Sequence, residues 1–110
     1  MLDIEEIKSE IIKRLEPLNP NRVILFGSYA YGTPHKDSDI DLYVVTNDDF
    51  IPQSWREKSQ IYLQYSKKLR TLQKEIPIDI IVHTQKMYQK LKDLNSSFYR
   101  DSILKGQVLC

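Results

Sequence analysis

The sequence lacks several features that would place it in a specialised class of protein. It has one cysteine, Cys110, so no disulfide can form within the chain, and it has no apolar run long enough for a signal peptide or a membrane-spanning helix. The 16 Lys and Arg residues nearly balance the 15 Asp and Glu residues, which leaves a net charge of +1. We therefore predict a cytoplasmic protein with no general electrostatic attraction to nucleic acid or to a membrane surface.

The composition itself is that of an ordinary globular protein. Hydrophobic residues make up 41% of the 110 residues and charged residues 28%. No repeat, low-complexity tract or linker interrupts the chain. A chain of this length can build one domain with a modest core, so we predict a single domain over residues 1–110.

The most informative segment is residues 22–45, which reads RVILFGSYAYGTPHKDSDIDLYVV. Its apolar run, residues 23–26, is short and β-branched, as expected of a buried strand, and it ends at Gly27 and Ser28. A glycine lets a phosphate approach the backbone, and a serine can donate through its hydroxyl and its N–H. We predict a phosphate-binding turn here, with Ser28 as the N-cap of a short helix over residues 29–31.

Two aspartates follow Ser28 after ten intervening residues. Residues 39–45 predict a second strand, in which Asp39 and Asp41 point to the same face, roughly 6.6 Å apart along the backbone. Asp is uncommon in strands, and two neighbouring carboxylates repel each other unless a cation lies between them. Oxygen ligands of this kind suit Mg²⁺, which also takes substrate phosphates as ligands. The alternative, two merely exposed strand residues, fits the apolar surroundings poorly.

The rest of the chain alternates amphipathic helices with one further strand. Hydrophobic spacing and N-cap residues predict helices at 3–18, 54–76, 84–94 and 98–105, and a strand at 78–83. Such an order predicts a small α/β domain, with a mixed sheet and packed helices. Trp55 and Tyr62 of the long helix are expected to pack rather than to stack on a base.

The third predicted strand carries one acid, Asp79, among apolar residues. An acid in such surroundings needs a reason to be there. If this strand lies beside the second, about 4.8 Å away, Asp79 reaches the same cations as Asp39 and Asp41. We interpret His83 as an ordinary strand-end histidine, and His35 and Lys36 as residues of a solvated loop.

Gly27-Ser28, the ten-residue interval and Asp39-x-Asp41 between apolar strands resemble the signature of the nucleotidyltransferase superfamily that includes DNA polymerase beta. The short length resembles the minimal nucleotidyltransferases, and within them the antitoxin branch that pairs with HEPN-domain toxins. The resemblance implies a nucleotidyltransferase fold and a Mg²⁺-dependent enzyme. Asp39, Asp41 and Asp79 would then be catalytic and hold two Mg²⁺ ions, while Gly27 and Ser28 hold the β- and γ-phosphates of ATP.

The same resemblance implies that ATP donates AMP to a hydroxyl of a HEPN-type toxin, which the chain would neutralise as its antitoxin. Larger relatives carry a second domain for the acceptor, for which a chain of this length has no room. Two alternatives stay open: a non-catalytic module that blocks such a partner by binding, and a transferase for a small molecule such as an aminoglycoside. Tyr29 and Tyr31 replace the Arg of many relatives, which removes positive charge near the triphosphate.

Overall fold

The structure is a computed structural model that describes residues 3–30, residue 32 and residues 39–110. Three residues considered in the sequence analysis lie outside the described residues: Tyr31, His35 and Lys36. The described elements, in chain order, are α1 (Ile4–Leu15) with a 3-10 turn after it (Glu16–Leu18), β1 (Arg22–Phe26), β2 (Ile40–Val45), α2 (Trp55–Gln73), β3 (Ile78–His83), α3 (Gln85–Asp93), a π-helical segment (Tyr99–Ile103) and β4 (Gln107–Val108). None of the helices in this part of the chain is long and apolar enough to cross a bilayer.

The four strands form one mixed sheet in the order β3-β2-β1-β4. β2 is antiparallel to β1 and parallel to β3, and β4 is antiparallel to β1. These directions place the end of β1 at the same edge of the sheet as the beginnings of β2 and β3. The predicted α/β fold with a mixed sheet and packed helices is therefore confirmed, and the chain segments that carry the predicted site meet at one edge.

The two longest helices begin at the capping residues that the sequence predicts. Asp3 accepts a hydrogen bond from the N–H of Glu6 at 2.8 Å, and Ser54 accepts one from the N–H of Glu57 at 3.1 Å. Each bond satisfies a donor that the helix itself leaves unpaired. The apolar stripes of both helices lie on one face of the sheet and form the larger core, whose helical members are Ile7, Ile11, Leu15, Ile61, Tyr65, Leu69 and Leu72.

The opposite face of the sheet is covered by α3 and the π-helical segment. Thr84 begins α3 by accepting a hydrogen bond from the N–H of Met87 at 3.3 Å. The second, smaller core contains the buried residues Ile24, Tyr43, Val45, Tyr99 and Ile103. The alternation predicted for β2 is thus confirmed: even-numbered residues face the larger core, while Tyr43 and Val45 face the smaller one.

The structure departs from the sequence-based expectations at three places. Residues 28–30 form a turn rather than a helix, in which the Ala30 N–H donates to the Gly27 carbonyl at 3.0 Å. The segment expected to be a simple tail pairs with β1 as β4, and the Leu109 N–H donates to the Val23 carbonyl at 2.7 Å. Trp55 and Tyr62, both expected to pack, are 82% and 39% exposed. Each difference depends on which neighbouring element covers the residue, which helical or strand periodicity does not specify.

Candidate active site

The predicted site residues meet at the edge of the sheet where β1 ends. The register pairs Phe26 of β1 with Asp41 of β2, and Asp41 with Asp79 of β3. Gly27 follows Phe26 directly and therefore lies beside Asp41. The structure thus places Asp41 between the turn at Gly27 and Ser28 on one side and Asp79 on the other. This is the adjacency of the second and third strands that the sequence analysis required.

Gly27 has two structural reasons to be a glycine. Its φ of +78° lies in the left-handed region, which side chains disfavour. A Cβ at this position would stand 3.3 Å from the Asp41 Cγ and would collide with its Oδ2. The missing side chain therefore makes room for the Asp41 carboxylate itself, in addition to the phosphate approach predicted from the sequence.

The three aspartates form an acidic cluster without a compensating cation. Asp41 is half-buried, and its pKa is raised, first by burial and then by the negative charges of Asp79 and Asp39. No Lys, Arg or His within the described ranges forms an ion pair with any of the three. Repulsion of this kind disfavours the ionised form of Asp41, and a bound cation would relieve it.

The donor set of this cluster fits a hard divalent cation. Only carboxylate oxygens are offered, which suits Mg²⁺ better than metals that prefer nitrogen or sulfur ligands. In the part of the chain that the structure describes, no three acidic, histidine or cysteine side chains already surround a common point. Asp39 and Asp79 are exposed, so their side chains are free to rotate towards Asp41. The assignment of these three residues as metal ligands stays a prediction.

Ser28 lies in the turn that follows Gly27. The residue is half-buried, and its hydroxyl makes no hydrogen bond to another described residue, so the hydroxyl is available to an anion. Its neighbour Tyr29 packs against the larger core, which directs the ring into the fold. Because residues 28–30 form a turn, a helix dipole does not support anion binding here, and the hydroxyl and backbone N–H groups remain as donors.

A polar pair made of the buried Tyr43 and the half-buried His83 lies on the same sheet face as Asp41, and the sequence analysis did not predict it. The Tyr43 hydroxyl and His83 Nδ1 are hydrogen-bonded at 2.9 Å, and the two rings meet edge to face. Burial and the charge of Lys58 lower the pKa of His83 to about 4, while burial and Tyr88 raise the pKa of Tyr43. Both side chains are therefore neutral near pH 7. The alternation of side chains along β2 puts Tyr43 on the same face as Asp41, and this pattern is the feature of the sequence that could have indicated the pair.

Nearly the whole chain matches one known protein family. The sequence model of the nucleotidyltransferase domain family matches residues 4–109, which is nearly the whole chain. A protein of Methanocaldococcus jannaschii, provisionally named a protein adenylyltransferase, is 33% identical over 88 residues, covering 80% of this chain and 76% of the relative. The chain belongs to the nucleotidyltransferase domain family, and it is a nucleotidyltransferase.

Solved structures support the same fold. A crystal structure of a toxin–antitoxin with AMP-PNP aligns with a TM-score of 0.57 and 23% identity, covering 94% of this chain and 72% of that one. A mutant of the toxin–antitoxin MntA-HpeT aligns with a TM-score of 0.56 and 19% identity, covering 94% of this chain and 71% of that one. At these identities the likeness establishes the fold, and the predicted nucleotidyltransferase fold is confirmed.

Proposed function

We propose that this nucleotidyltransferase transfers AMP from ATP to a hydroxyl of a partner toxin, and that this modification makes it an antitoxin. The observation that carries the proposal is the register that sets Asp79 beside Asp41 and sets Asp41 beside Gly27. Catalysis of nucleotidyl transfer consists mainly of positioning the reactants and stabilising charge. Carboxylates beside a turn that can bind phosphate are suited to both tasks.

The roles of the residues follow from this adjacency. The turn at Gly27 and Ser28 would hold the outer phosphates, which leaves the α-phosphate near Asp39 and Asp41. The acceptor oxygen would form a bond to the α-phosphorus while the bond to the bridging oxygen breaks, releasing pyrophosphate. Asp79, whose side chain is exposed, would accept the proton of the acceptor hydroxyl. Divalent cations bound by the three acids would neutralise charge on the triphosphate and lower the pKa of the attacking hydroxyl.

The partner is proposed from the relatives. The Methanocaldococcus relative is named for adenylyl transfer to protein, and the two solved neighbours are toxin–antitoxin structures, one of them with AMP-PNP. The HEPN class of the toxin rests on the resemblance given by the Gly-Ser and Asp-x-Asp motif. A module that only binds its partner would have no need of an uncompensated acid such as Asp41, so we favour catalysis over simple blocking.

The test is a transfer reaction followed by intact mass. Purified protein, Mg²⁺ and ATP are mixed with the purified product of the adjacent gene, the candidate partner. We expect AMP-sized mass increments on the partner with the wild type, and their loss with Asp79→Asn. Asp93→Asn serves as the matched control, because Asp93 is an exposed acid at the end of α3 and away from the sheet edge.

Each other outcome contradicts the proposal in a specific way. A complex without added mass would favour the binding module, and modification of a small molecule alone would favour the metabolite transferase. Added mass that persists with Asp79→Asn would show that another group accepts the proton.

A further inference from the structure

The outer edge of β3 offers unpaired backbone groups. Within the described residues, β3 is the last strand of the sheet and pairs with β2 only. The Ile40 N–H donates to the Pro77 carbonyl at 3.0 Å, and the Thr46 N–H donates to the His83 carbonyl at 2.8 Å. The backbone N–H and C=O groups of the odd-numbered residues of β3 therefore point towards β2.

Because backbone direction alternates along a strand, Ile80 and Val82 aim their N–H and C=O groups away from the sheet. The Ile78 carbonyl, which also points outward, already accepts a hydrogen bond from Gln73 Nε2 at 3.0 Å. Ile80 and Val82, with one residue between them, are thus left with unpaired backbone donors and acceptors. Such a spacing is the template that an added strand requires.

A groove accompanies this edge. It has a volume of about 300 Å³, and its lining comes from β3 residues 80–83 and from the first turns of α2: Trp55, Lys58, Ser59 and Tyr62. Trp55 is 82% exposed and Tyr62 39% exposed, although large aromatic side chains normally gain most from burial. An exposed Trp beside an unpaired strand edge is typical of a binding anchor.

The charge of the groove indicates what it would accept. Lys58 lines the groove and forms no ion pair with any residue in the described ranges. Its neighbour His83 is neutral near pH 7, because burial and Lys58 lower its pKa. Pairing with the same edge of a second copy would set a second Lys58 at the interface, where the two like charges repel. An occupant with an acidic side chain complements the groove better.

We propose that the groove beside β3 binds an extended segment of the partner toxin, which adds to the sheet as a fifth strand. The segment would bond to the backbone of Ile80 and Val82, place an apolar side chain on Trp55 and place an acid near Lys58. The identity of the partner rests on the proposed function, whereas the docking mode rests on the strand edge and the groove.

Binding affinity is the first test. The purified product of the adjacent gene, the candidate partner, is titrated by calorimetry into wild type, Trp55→Ala and Lys58→Glu. Both side chains are on the surface of α2, so the variants should fold, which circular dichroism checks. We expect the dissociation constant to rise at least about 10-fold for each variant. Leu94→Ala is the control, since Leu94 is 68% exposed but lies at the end of α3, and we expect no change.

Amide hydrogen exchange is the second test, because it reports the added strand directly. In the free protein, the Ile80 and Val82 amides should exchange faster than those of Ile81 and His83, which face β2. In the complex, the Ile80 and Val82 amides should become protected. Exchange at these two positions that is unchanged by the partner would overturn the proposal, as would variants that bind like the wild type.

The remaining outcomes also decide the matter. No complex with the partner, or a dimer of this chain that protects the same two amides, would overturn the toxin segment as the occupant. The proposed reaction is judged separately, by AMP transfer at saturating partner. A complex weakened by Trp55→Ala that carries no AMP would leave the docking mode standing while the transferase proposal fails.

Discussion

Substituting Gly27 with alanine tests the contact on which the site geometry depends. The backbone has φ +78°, so a side chain there costs about 1–2 kcal/mol of strain. The new Cβ would also collide with the Asp41 carboxylate, which must rotate away, and an off-rotamer side chain costs about 0.5–1.5 kcal/mol. A smaller gain, about 0.4–1 kcal/mol, comes from the less flexible unfolded chain.

Gly32→Ala is the matched control for the backbone contribution. Gly32 has nearly the same φ, +74°, but a Cβ there would meet no atom of a described residue within 4 Å. Gly32→Ala therefore has the same backbone strain and the same stabilisation from a less flexible unfolded chain, but not the collision with Asp41. We expect Gly27→Ala to lose about 0.5–1.5 kcal/mol more of unfolding free energy than Gly32→Ala.

Urea denaturation followed by circular dichroism measures both losses, and a double-mutant cycle isolates the contact. In Asp41→Ala, the atoms that collide are absent and only Cβ remains, at 3.5 Å from the new side chain, an ordinary contact. Gly27→Ala should then cost no more than Gly32→Ala in that background. The predicted collision would be refuted if both glycine substitutions lowered the unfolding free energy equally in the wild-type background. It would also be refuted if Gly27→Ala lowered the unfolding free energy of Asp41→Ala as much as that of the wild type.

Three further predictions concern the acids, the buried pair and a helix cap. Asp41→Asn should unfold at a higher temperature than wild type without ligand, because burial and two like charges raise the pKa of Asp41, but should lose the stabilisation by Mg²⁺ and ATP in thermal melts. His83 should stay neutral in the folded protein down to about pH 4, whereas it becomes protonated in the unfolded chain below about pH 6.5. As the pH falls from about 6.5 to about 4, the wild type should therefore lose about 2 kcal/mol of unfolding free energy, a value already reduced for the partial exposure of His83. His83→Gln should not show this loss. Ser54→Ala should cost about 1 kcal/mol in urea unfolding, since the N–H of Glu57 loses its acceptor.

Each of these predictions has its own contradicting result. An unchanged Mg²⁺ and ATP shift in Asp41→Asn would remove Asp41 from the cation site. Parallel pH profiles of wild type and His83→Gln would show that His83 is not the group responsible. For the cap, Ser9→Ala is the control, because Ser9 lies inside α1 and caps nothing; an equal cost for both serines would contradict the capping role of Ser54.

The comparison of elements separates two kinds of information. The helix starts at Asp3 and Ser54 and the alternation of β2 follow from neighbours in the sequence, so they could be read from it with little error. The candidate acids and the Gly27-Ser28 pair were also selected from the sequence, by the spacing that carries the family resemblance, and their roles stay predictions. The register of Asp41 with Asp79 could be anticipated only as a condition, because local sequence does not encode the parallel pairing of two segments that are far apart in the chain.

By itself, the sequence therefore determined the main helices and strands and their apolar faces, and it nominated the residues whose chemistry is proposed. Tertiary structure alone decided the β4 pairing with β1, the collision that keeps Gly27 a glycine, the bond between Tyr43 and His83, and the exposure of Trp55. In each case the outcome depends on a contact between segments far apart in the chain. Hydrophobic periodicity tells which face of an element is apolar, but only the packed fold determines whether another element covers that face.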